Sequence, residues 1–285
     1  LQFFMSLNET QGPASGTRLH NFPPYDLTPL TGLSPHREVL TRRLQSLYVI
    51  MSDKNPVVIT SLEAVFSRIL PKEAFVGSLE YLEVREEVDR ESFLRKLETN
   101  GYQRSSLVEE QGDYAVRGGV IDVFSPLYPL PIRLEFWGDR LESIRQFDPL
   151  SQRSQDQLKE MVLLPANEII MDRDNIRRAR SMGRLPKQTE NGMGFPGQEA
   201  WLNHFYSRLD TLFQYLPKSG LITFFDPHRA ESVSQRMEEK FQHDVEKFRK
   251  EAAERRMPFP EIEGIFVPFQ EISQQFENHQ QLAFS

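Results

Sequence analysis

A strand predicted at 132–137 places an arginine and a tryptophan on its polar face. Because side chains alternate along a strand, Arg133 and Trp137 point away from the core that the apolar residues between them face. Arginine and tryptophan are enriched at the energetic centres of protein interfaces, where one makes bidentate contacts and the other buries a large rigid ring. Another arginine, Arg117, closes the strand predicted at 114–117, and the two guanidinium groups share a face if the strands are neighbours. The three side chains predict an exposed protein-binding surface, with a covering helix of this same chain as the alternative for Trp137.

Catalytic chemistry has little support in the residues. None of the 15 glycines is followed by lysine, so a phosphate-cradling loop of the Walker A type is missing. There is no cysteine to act as a thiol nucleophile or metal ligand, and the six histidines are scattered. The acidic pair Glu109 and Glu110 points to opposite faces of a predicted strand. We therefore expect no catalytic residue, no cofactor and no metal in this chain, and no ATP hydrolysis by it.

Composition and charge indicate a folded protein with a protein partner. The chain has 285 residues, of which 39% are hydrophobic and 26% charged, which excludes a disordered chain and suggests two or three domains. The net charge is −7, and residues 79–165 carry 11 Lys and Arg against 17 Asp and Glu. Since non-specific DNA affinity comes from basic side chains that neutralise phosphates, an acidic middle third argues against DNA binding there.

The sequence also indicates where the protein resides. The longest apolar runs, such as 161–164, have about four or five residues, far short of the roughly 20 that cross a bilayer. The chain begins at Leu1 without an initiator methionine or a signal-peptide pattern. We expect a cytoplasmic protein with no membrane contact, represented here by an excised fragment.

The first part of the chain has the pattern of an α/β layer. Ser34, followed by proline, is a predicted N-cap of a helix that continues to Met51 with leucines at helical spacing. A buried strand is predicted at 57–59. Thr60 and Glu63 then form a predicted capping box that opens a second helix, ending near residue 70.

From residue 79 the pattern changes to an antiparallel sheet with one helix. After a strand at 79–85, a short amphipathic helix is predicted at 89–99, closed by Asn100 and Gly101. Strands follow at 102–109, 114–117, 120–124, 132–137 and 141–147. Gly138 and Asp139 predict a two-residue type II′ hairpin between the last two strands. This middle region is predicted to be an α+β unit.

Beyond residue 165 helical patterns return. An amphipathic helix is predicted at 201–216 and a buried strand at 220–225. A long charged helix follows over 233–252, with an apolar stripe that is predicted to face the core.

Long motifs in the middle and outer regions identify a family resemblance. In one-letter code the middle motifs are GYxR (101–104), VEExGDYAVRGGVIDVF (108–124), PIRLEFWGDxLESIRxFDP (131–149) and QRS (152–154). They closely resemble the domain shared by the excision-repair protein UvrB and the bacterial transcription-repair coupling factor (Mfd) family. Flanking motifs resemble the coupling factors in particular: PYD (24–26), SP (34–35), RL (43–44) with Leu47, FPGxE (195–199) and YLP (215–217). The resemblance covers nearly the whole chain.

The resemblance implies a fold and a partner. The fold would be α/β, with a RecA-like domain in two sequence pieces, 1–78 and 166–285, around an inserted α+β domain at 79–165. In that family the inserted domain recruits UvrA to RNA polymerase stalled at a lesion, in transcription-coupled nucleotide excision repair. By position, Arg117, Arg133 and Trp137 would contact UvrA. RNA polymerase, DNA, ATP and Mg²⁺ would bind other domains of the parent, an ATP-dependent DNA translocase whose motor lies outside this chain.

Two other functions stay open on the sequence. One is a UvrB-like fragment that binds damaged DNA or belongs to a helicase, although the tyrosine-rich hairpin that UvrB carries after the position of Tyr25 is absent. The other is a nucleotide-dependent enzyme domain with an unfamiliar phosphate loop.

Overall fold

The computed structural model describes residues 19–183, 185–186, 189 and 194–284. The strands in these residues are β1 (Leu19–Phe22), β2 (Val57–Thr60), β3 (Glu80–Glu83), β4 (Gln103–Arg104), β5 (Asp113–Arg117), β6 (Val120–Val123), β7 (Ile132–Trp137), β8 (Arg140–Phe147), β9 (Ser154–Leu158), β10 (Glu160–Leu163), β11 (Leu221–Phe225) and β12 (Gln280–Phe284). The α-helices are α1 (Arg37–Ser52), α2 (Leu62–Val65), α3 (Lys72–Ser78), α4 (Arg90–Thr99), α5 (Arg173–Met182), α6 (Leu202–Phe205), α7 (Leu212–Tyr215), α8 (Ala230–Glu254) and α9 (Phe269–Glu277). The fold is mixed α/β with several sheets. No helix among the described residues is long and apolar enough to cross a membrane.

A six-stranded sheet forms the centre of the middle region, with the order β4-β5-β6-β7-β8-β9. Its pairs from β5 to β9 are antiparallel, as predicted, and the short β4 pairs in parallel with β5. The β7–β8 hairpin closes at Gly138, whose φ of +63° is the left-handed value that the first position of a type II′ turn requires. The strand predicted at 102–109 is observed only as Gln103–Arg104.

One face of this sheet is covered by α4 and by the β3–β10 pair. Helix α4 begins where Asp89 caps it by accepting a hydrogen bond from the Ser92 amide, and the chain reverses at Gly101, with a φ of +86°. Its apolar face and the sheet enclose a hydrophobic cluster whose buried members lie between Leu82 and Leu163. The period-2 alternation of the strand at 132–137 is confirmed, since its even-numbered residues are buried in this cluster.

Another hydrophobic cluster draws its residues from both ends of the described chain. Phe22 and Phe75 pack with Phe205, Val267 and other buried side chains in it. Two parallel strand pairs, β1 with β2 and β11 with β12, border this cluster. The apolar stripe on α8 is buried or half-buried as predicted, with Val245 fully enclosed.

Two predicted helix starts are wrong by a few residues, because the side chains expected as caps bind elsewhere. Ser34 donates a hydrogen bond to the Glu199 carboxylate and accepts one from the Gly197 amide, so α1 begins only at Arg37. Thr60 donates to the Phe22 carbonyl, and the neighbouring Ser61 caps α2 instead. The predicted second helix also ends early, at Val65 rather than near residue 70.

The helix predicted at 201–216 is wrong, and two short helices, α6 and α7, take its place. Between them, Asp210 exchanges two backbone hydrogen bonds with Ile69, which draws the chain out of the helical path. Thr211 and Gln214 then form a capping box that starts α7. The strand predicted at 220–225 is present, but it is not buried, since Leu221 and Phe225 are exposed on one of its faces.

Candidate functional site

The second face of the six-stranded sheet carries the residues that the sequence singled out. Cα register pairs Asp122 with Arg133, and Arg133 with Arg145, across β6, β7 and β8. Because partners across a sheet and residues two apart along a strand share a face, Arg117 on β5 belongs to the same face. We call this face the outer face; its members are Arg117, Asp122, Arg133, Glu135, Trp137, Ser143 and Arg145. The two arginines therefore share a face, although β6 lies between their strands, which the sequence had considered as possible neighbours.

Asp122 holds the two arginines together. Its carboxylate is fully buried and accepts hydrogen bonds from Arg133 Nε at 2.7 Å and Arg133 Nη2 at 2.9 Å. Arg117 Nη2 donates to the same carboxylate at 2.7 Å. One buried negative charge therefore faces two positive charges, which leaves the group with a net charge of about +1 at neutral pH.

Arg133 is more enclosed than the sequence predicted. Its guanidinium carbon lies 4.6 Å from the centroid of the Phe147 ring, and Nη1 donates to the Gln152 carbonyl oxygen at 3.4 Å. Only 18% of its side chain is exposed, against 48% for Arg117. The hydrogen bonds to Asp122 raise the pKa of Arg133, so it stays charged. Arg133 is thus mainly a buried ion-pair partner, which corrects the expectation that all three residues form an exposed surface.

Replacing Arg133 with alanine is expected to lower the free energy of unfolding by about 2–3 kcal/mol, because hydrogen bonds to a buried charged group contribute about that much. The side chain is only 18% exposed, so its removal is not a neutral surface truncation. Thermal unfolding followed by circular dichroism measures the loss. Arg140→Ala, on the same sheet but with a half-exposed side chain, is the control and should change stability by only about 0.5 kcal/mol. Equal melting temperatures for the two variants would contradict the prediction.

Trp137 lies at the end of the outer face and is 82% exposed. No helix within the described residues covers it, contrary to the alternative considered for Trp137. The adjoining backbone is held firmly, because the Phe136 amide donates to the Gly119 carbonyl at 2.8 Å. A Cβ at Gly119 would lie 2.7 Å from the Phe136 carbonyl oxygen, so only glycine allows this close approach. A large apolar ring is thus held in solvent on a rigid strand end.

Another polar group lies between Trp137 and the arginines. Ser143 Oγ donates to Glu135 Oε2 at 2.6 Å, and Arg145 Nη2 lies 3.6 Å from the same oxygen. The charges of Glu135 and Arg145 cancel. The excess positive charge of the outer face therefore lies at the Arg117 end.

Sequence reasoning missed Asp122 and Phe147 as parts of the site. Asp122 sits between two apolar residues of a central strand, and an acid at such a position needs a buried cation. That signal was present, but the identity of the cation follows only from the register with β7.

A separate buried polar cluster joins the flanking motifs. Arg43 and Glu168 are both fully buried, with Arg43 Nε 2.6 Å from Glu168 Oε1. Tyr25 donates to Glu168 Oε2 at 2.9 Å, and its ring lies against the Arg43 guanidinium, 4.1 Å from centroid to carbon. Nearby, the buried Glu199 accepts hydrogen bonds from Ser34 at 2.9 Å and from the Asn167 side chain at 3.4 Å. The motif residues that distinguish the coupling factors therefore meet in one place.

Glu199 gives this cluster a pH dependence. Burial raises the pKa of Glu199 from 4.5 to about 7. The folded chain holds this proton more tightly than the unfolded chain, so ionisation between about pH 4.5 and pH 7 destabilises the fold. At 1.36 kcal/mol for each unit of pKa, the loss is about 3 kcal/mol.

Glu199→Gln removes that ionisation. The free energy of unfolding of Glu199→Gln minus that of the wild type is therefore expected to grow by about 3 kcal/mol from pH 4.5 to pH 8 in urea titrations. Glu73→Gln is a control of opposite sign, because a hydrogen bond from Arg208 lowers the pKa of Glu73. A difference for Glu199→Gln that does not change with pH would contradict the prediction.

Comparison with known proteins finds transcription-repair-coupling factors among the relatives of this chain. The sequence model of the UvrB interaction domain family matches residues 81–169. Transcription-repair-coupling factor of Myxococcus xanthus is 35% identical over 249 residues, which are 80% of this chain and 20% of that protein. The protein of the same name from Haemophilus influenzae is 26% identical over 92% of this chain. The one from Escherichia coli K12 is 29% identical over 71% of it. The chain spans about a fifth of the length of these curated relatives. The resemblance found in the motifs is confirmed.

Proposed function

We propose that this chain, which matches transcription-repair-coupling factors along four fifths of its length and contains a UvrB interaction domain, recruits UvrA in transcription-coupled nucleotide excision repair. The outer face is the proposed contact surface, with Trp137, Arg117 and the exposed part of Arg133 meeting UvrA. The observation that carries the proposal is the exposed Trp137, which lies on the same sheet face as the paired Arg117 and Arg133 within the matched segment. The chain itself has no catalytic role in this proposal.

The proposed organisation is a RecA-like α/β domain in two pieces, 1–78 and 166–285, with the UvrA-binding domain at 79–165 inserted between them. The separate hydrophobic clusters support it, since one draws on both ends of the described chain and the other on the middle. The parallel pairs β1–β2 and β11–β12 also support an α/β domain. Residues 1–18 lie outside the described part of the chain. RNA polymerase, DNA and ATP with Mg²⁺ would be bound by other parts of the longer protein.

Binding to purified UvrA tests the proposal. The full 285-residue chain is passed over immobilised UvrA, with and without free UvrB as a competitor. We expect saturable binding that UvrB displaces, because the resemblance implies one surface shared by the two proteins. Absence of binding at micromolar concentrations of the chain would reject the function, and binding that UvrB does not displace would reject the shared surface.

DNA binding by the chain is expected to be weak. The acidic middle region offers few cations for phosphates, so at about 150 mM salt any affinity should fall in the non-specific range of ~10⁻⁴–10⁻⁶ M. Gel shifts on damaged and undamaged duplexes measure this. A salt-resistant nanomolar complex with damaged duplex would favour the UvrB-like alternative instead.

A further inference from the structure

Asp122 has a position from which it cannot contact a partner. Its side chain is fully buried in a central strand of the sheet, beneath the two arginines. A buried carboxylate is costly unless it is paired, and Arg133 already supplies two of its hydrogen bonds. Arg133 is in turn fixed by the Phe147 ring and the Gln152 carbonyl.

Arg117 depends on Asp122 in a different way. Its Nη2 makes the 2.7 Å bond to Asp122 Oδ2, its strand ends at the Gly118 turn, and nearly half of its side chain is exposed. A free arginine side chain samples many rotamers, and part of this freedom is lost when a partner immobilises it. An arginine already held by a buried carboxylate has given up that freedom before the partner arrives.

We propose that Asp122 is the positioning residue of the outer face: its carboxylate, anchored by Arg133, holds Arg117 in the orientation in which it meets UvrA. The inference rests on the proposed function, and it assigns different roles to the two arginines. Arg133 anchors the buried carboxylate in place, whereas Arg117 makes the main contact.

The dissociation rate from immobilised UvrA tests this role. Asp122→Asn keeps the shape of the side chain but replaces one acceptor oxygen with an NH₂ group. An NH₂ donor cannot accept a hydrogen bond from an arginine, so at least one of the bonds is lost. Loss of one preorganised side chain corresponds to a rise in the dissociation rate of about 2- to 10-fold. A merely structural role would reduce the amount of binding-competent chain, without changing how fast the folded molecules dissociate. Asp122→Asn also leaves one extra positive charge on the outer face, which acts mainly on the association rate. Measurement at two salt concentrations separates this charge effect from the loss of positioning.

A double-mutant cycle gives the second readout. In an Arg117→Ala background, Asp122→Asn should change the dissociation rate less than about twofold, because the side chain that it positions is gone. The matched control is Glu168→Gln, which alters another fully buried carboxylate paired with an arginine, outside the six-stranded sheet. It should lower stability and leave the dissociation rate unchanged.

Each outcome bears on one proposal. If the wild type binds UvrA and Trp137→Ala weakens binding, but Asp122→Asn dissociates at the wild-type rate, the positioning role is overturned and the proposed function stands. If Asp122→Asn speeds dissociation by the same factor in the Arg117→Ala background, the positioning role is overturned as well.

If Asp122→Asn fails to fold, Asp122→Glu is the second variant. It keeps a carboxylate to pair with Arg133, but its longer side chain displaces that carboxylate relative to Arg117. It should also dissociate faster, and a wild-type rate would again overturn the role. Failure of the wild type to bind UvrA rejects the proposed function itself.

Discussion

Trp137→Ala is expected to weaken UvrA binding by about 2 kcal/mol or more, roughly 30-fold, with almost no change in melting temperature. The ring is 82% exposed, so its removal leaves no cavity, and a surface truncation of this kind shifts stability by only about 0.5 kcal/mol. In a complex the same ring would bury a large apolar area at low entropic cost, because the strand end that carries it is already rigid.

The control for Trp137 is Tyr81→Ala. Tyr81 is another exposed aromatic residue of the matched segment, but it lies on β3, outside the six-stranded sheet. Its loss should not alter the dissociation constant for UvrA, which calorimetry or surface plasmon resonance measures for all three proteins. Wild-type affinity in Trp137→Ala would remove the outer face as the contact surface, even if UvrA binds the chain elsewhere.

Arg43→Ala is expected to destabilise the protein by about 3–5 kcal/mol, because it leaves the Glu168 carboxylate buried without its cation. Both side chains of the pair are fully enclosed, and the arginine also donates to the Pro23 carbonyl and packs between the Phe22 and Tyr25 rings. Urea unfolding followed by the fluorescence of Trp201 reports on it, since that ring is buried in the hydrophobic cluster that includes Phe22.

Arg42→Ala is the matched control for Arg43. It removes the same side chain one position earlier on α1, where the guanidinium is half-exposed and, within the described part of the chain, pairs with Glu38 one turn away. Such a pair contributes about 0.3–0.5 kcal/mol. The double variant Arg43→Met with Glu168→Leu should recover part of the loss, because it leaves no unpaired buried charge. Equal unfolding midpoints for Arg42→Ala and Arg43→Ala would show that the pair contributes nothing beyond a surface contact.

Local sequence patterns were sufficient for strands β5 to β8 of the middle sheet and for the direction of their side chains, whereas β9 was not predicted. The alternation at 132–137, the glycine of the β7–β8 turn and the helix end at Asn100 and Gly101 act over two to four residues, and all three appear in the structure as predicted. That alternation also predicts that Trp137 points away from the core. Its exposure to solvent was shown only by the structure, in which no described element covers it.

The ion pairs of both polar clusters were decided by tertiary structure. Arg43 and Glu168 are 125 residues apart, and Asp122 meets Arg133 only through the register of β6 against β7. The same holds for the helix predicted at 201–216, which is interrupted because Asp210 pairs with the backbone of Ile69. A periodic pattern states which side of an element is apolar, but not which distant element packs there. The sequence by itself therefore determined strands β5 to β8 of the middle sheet, the direction of their side chains and the family resemblance. Which charges are buried together depended on long-range packing, because a buried charge is stable only where the fold brings a partner to it.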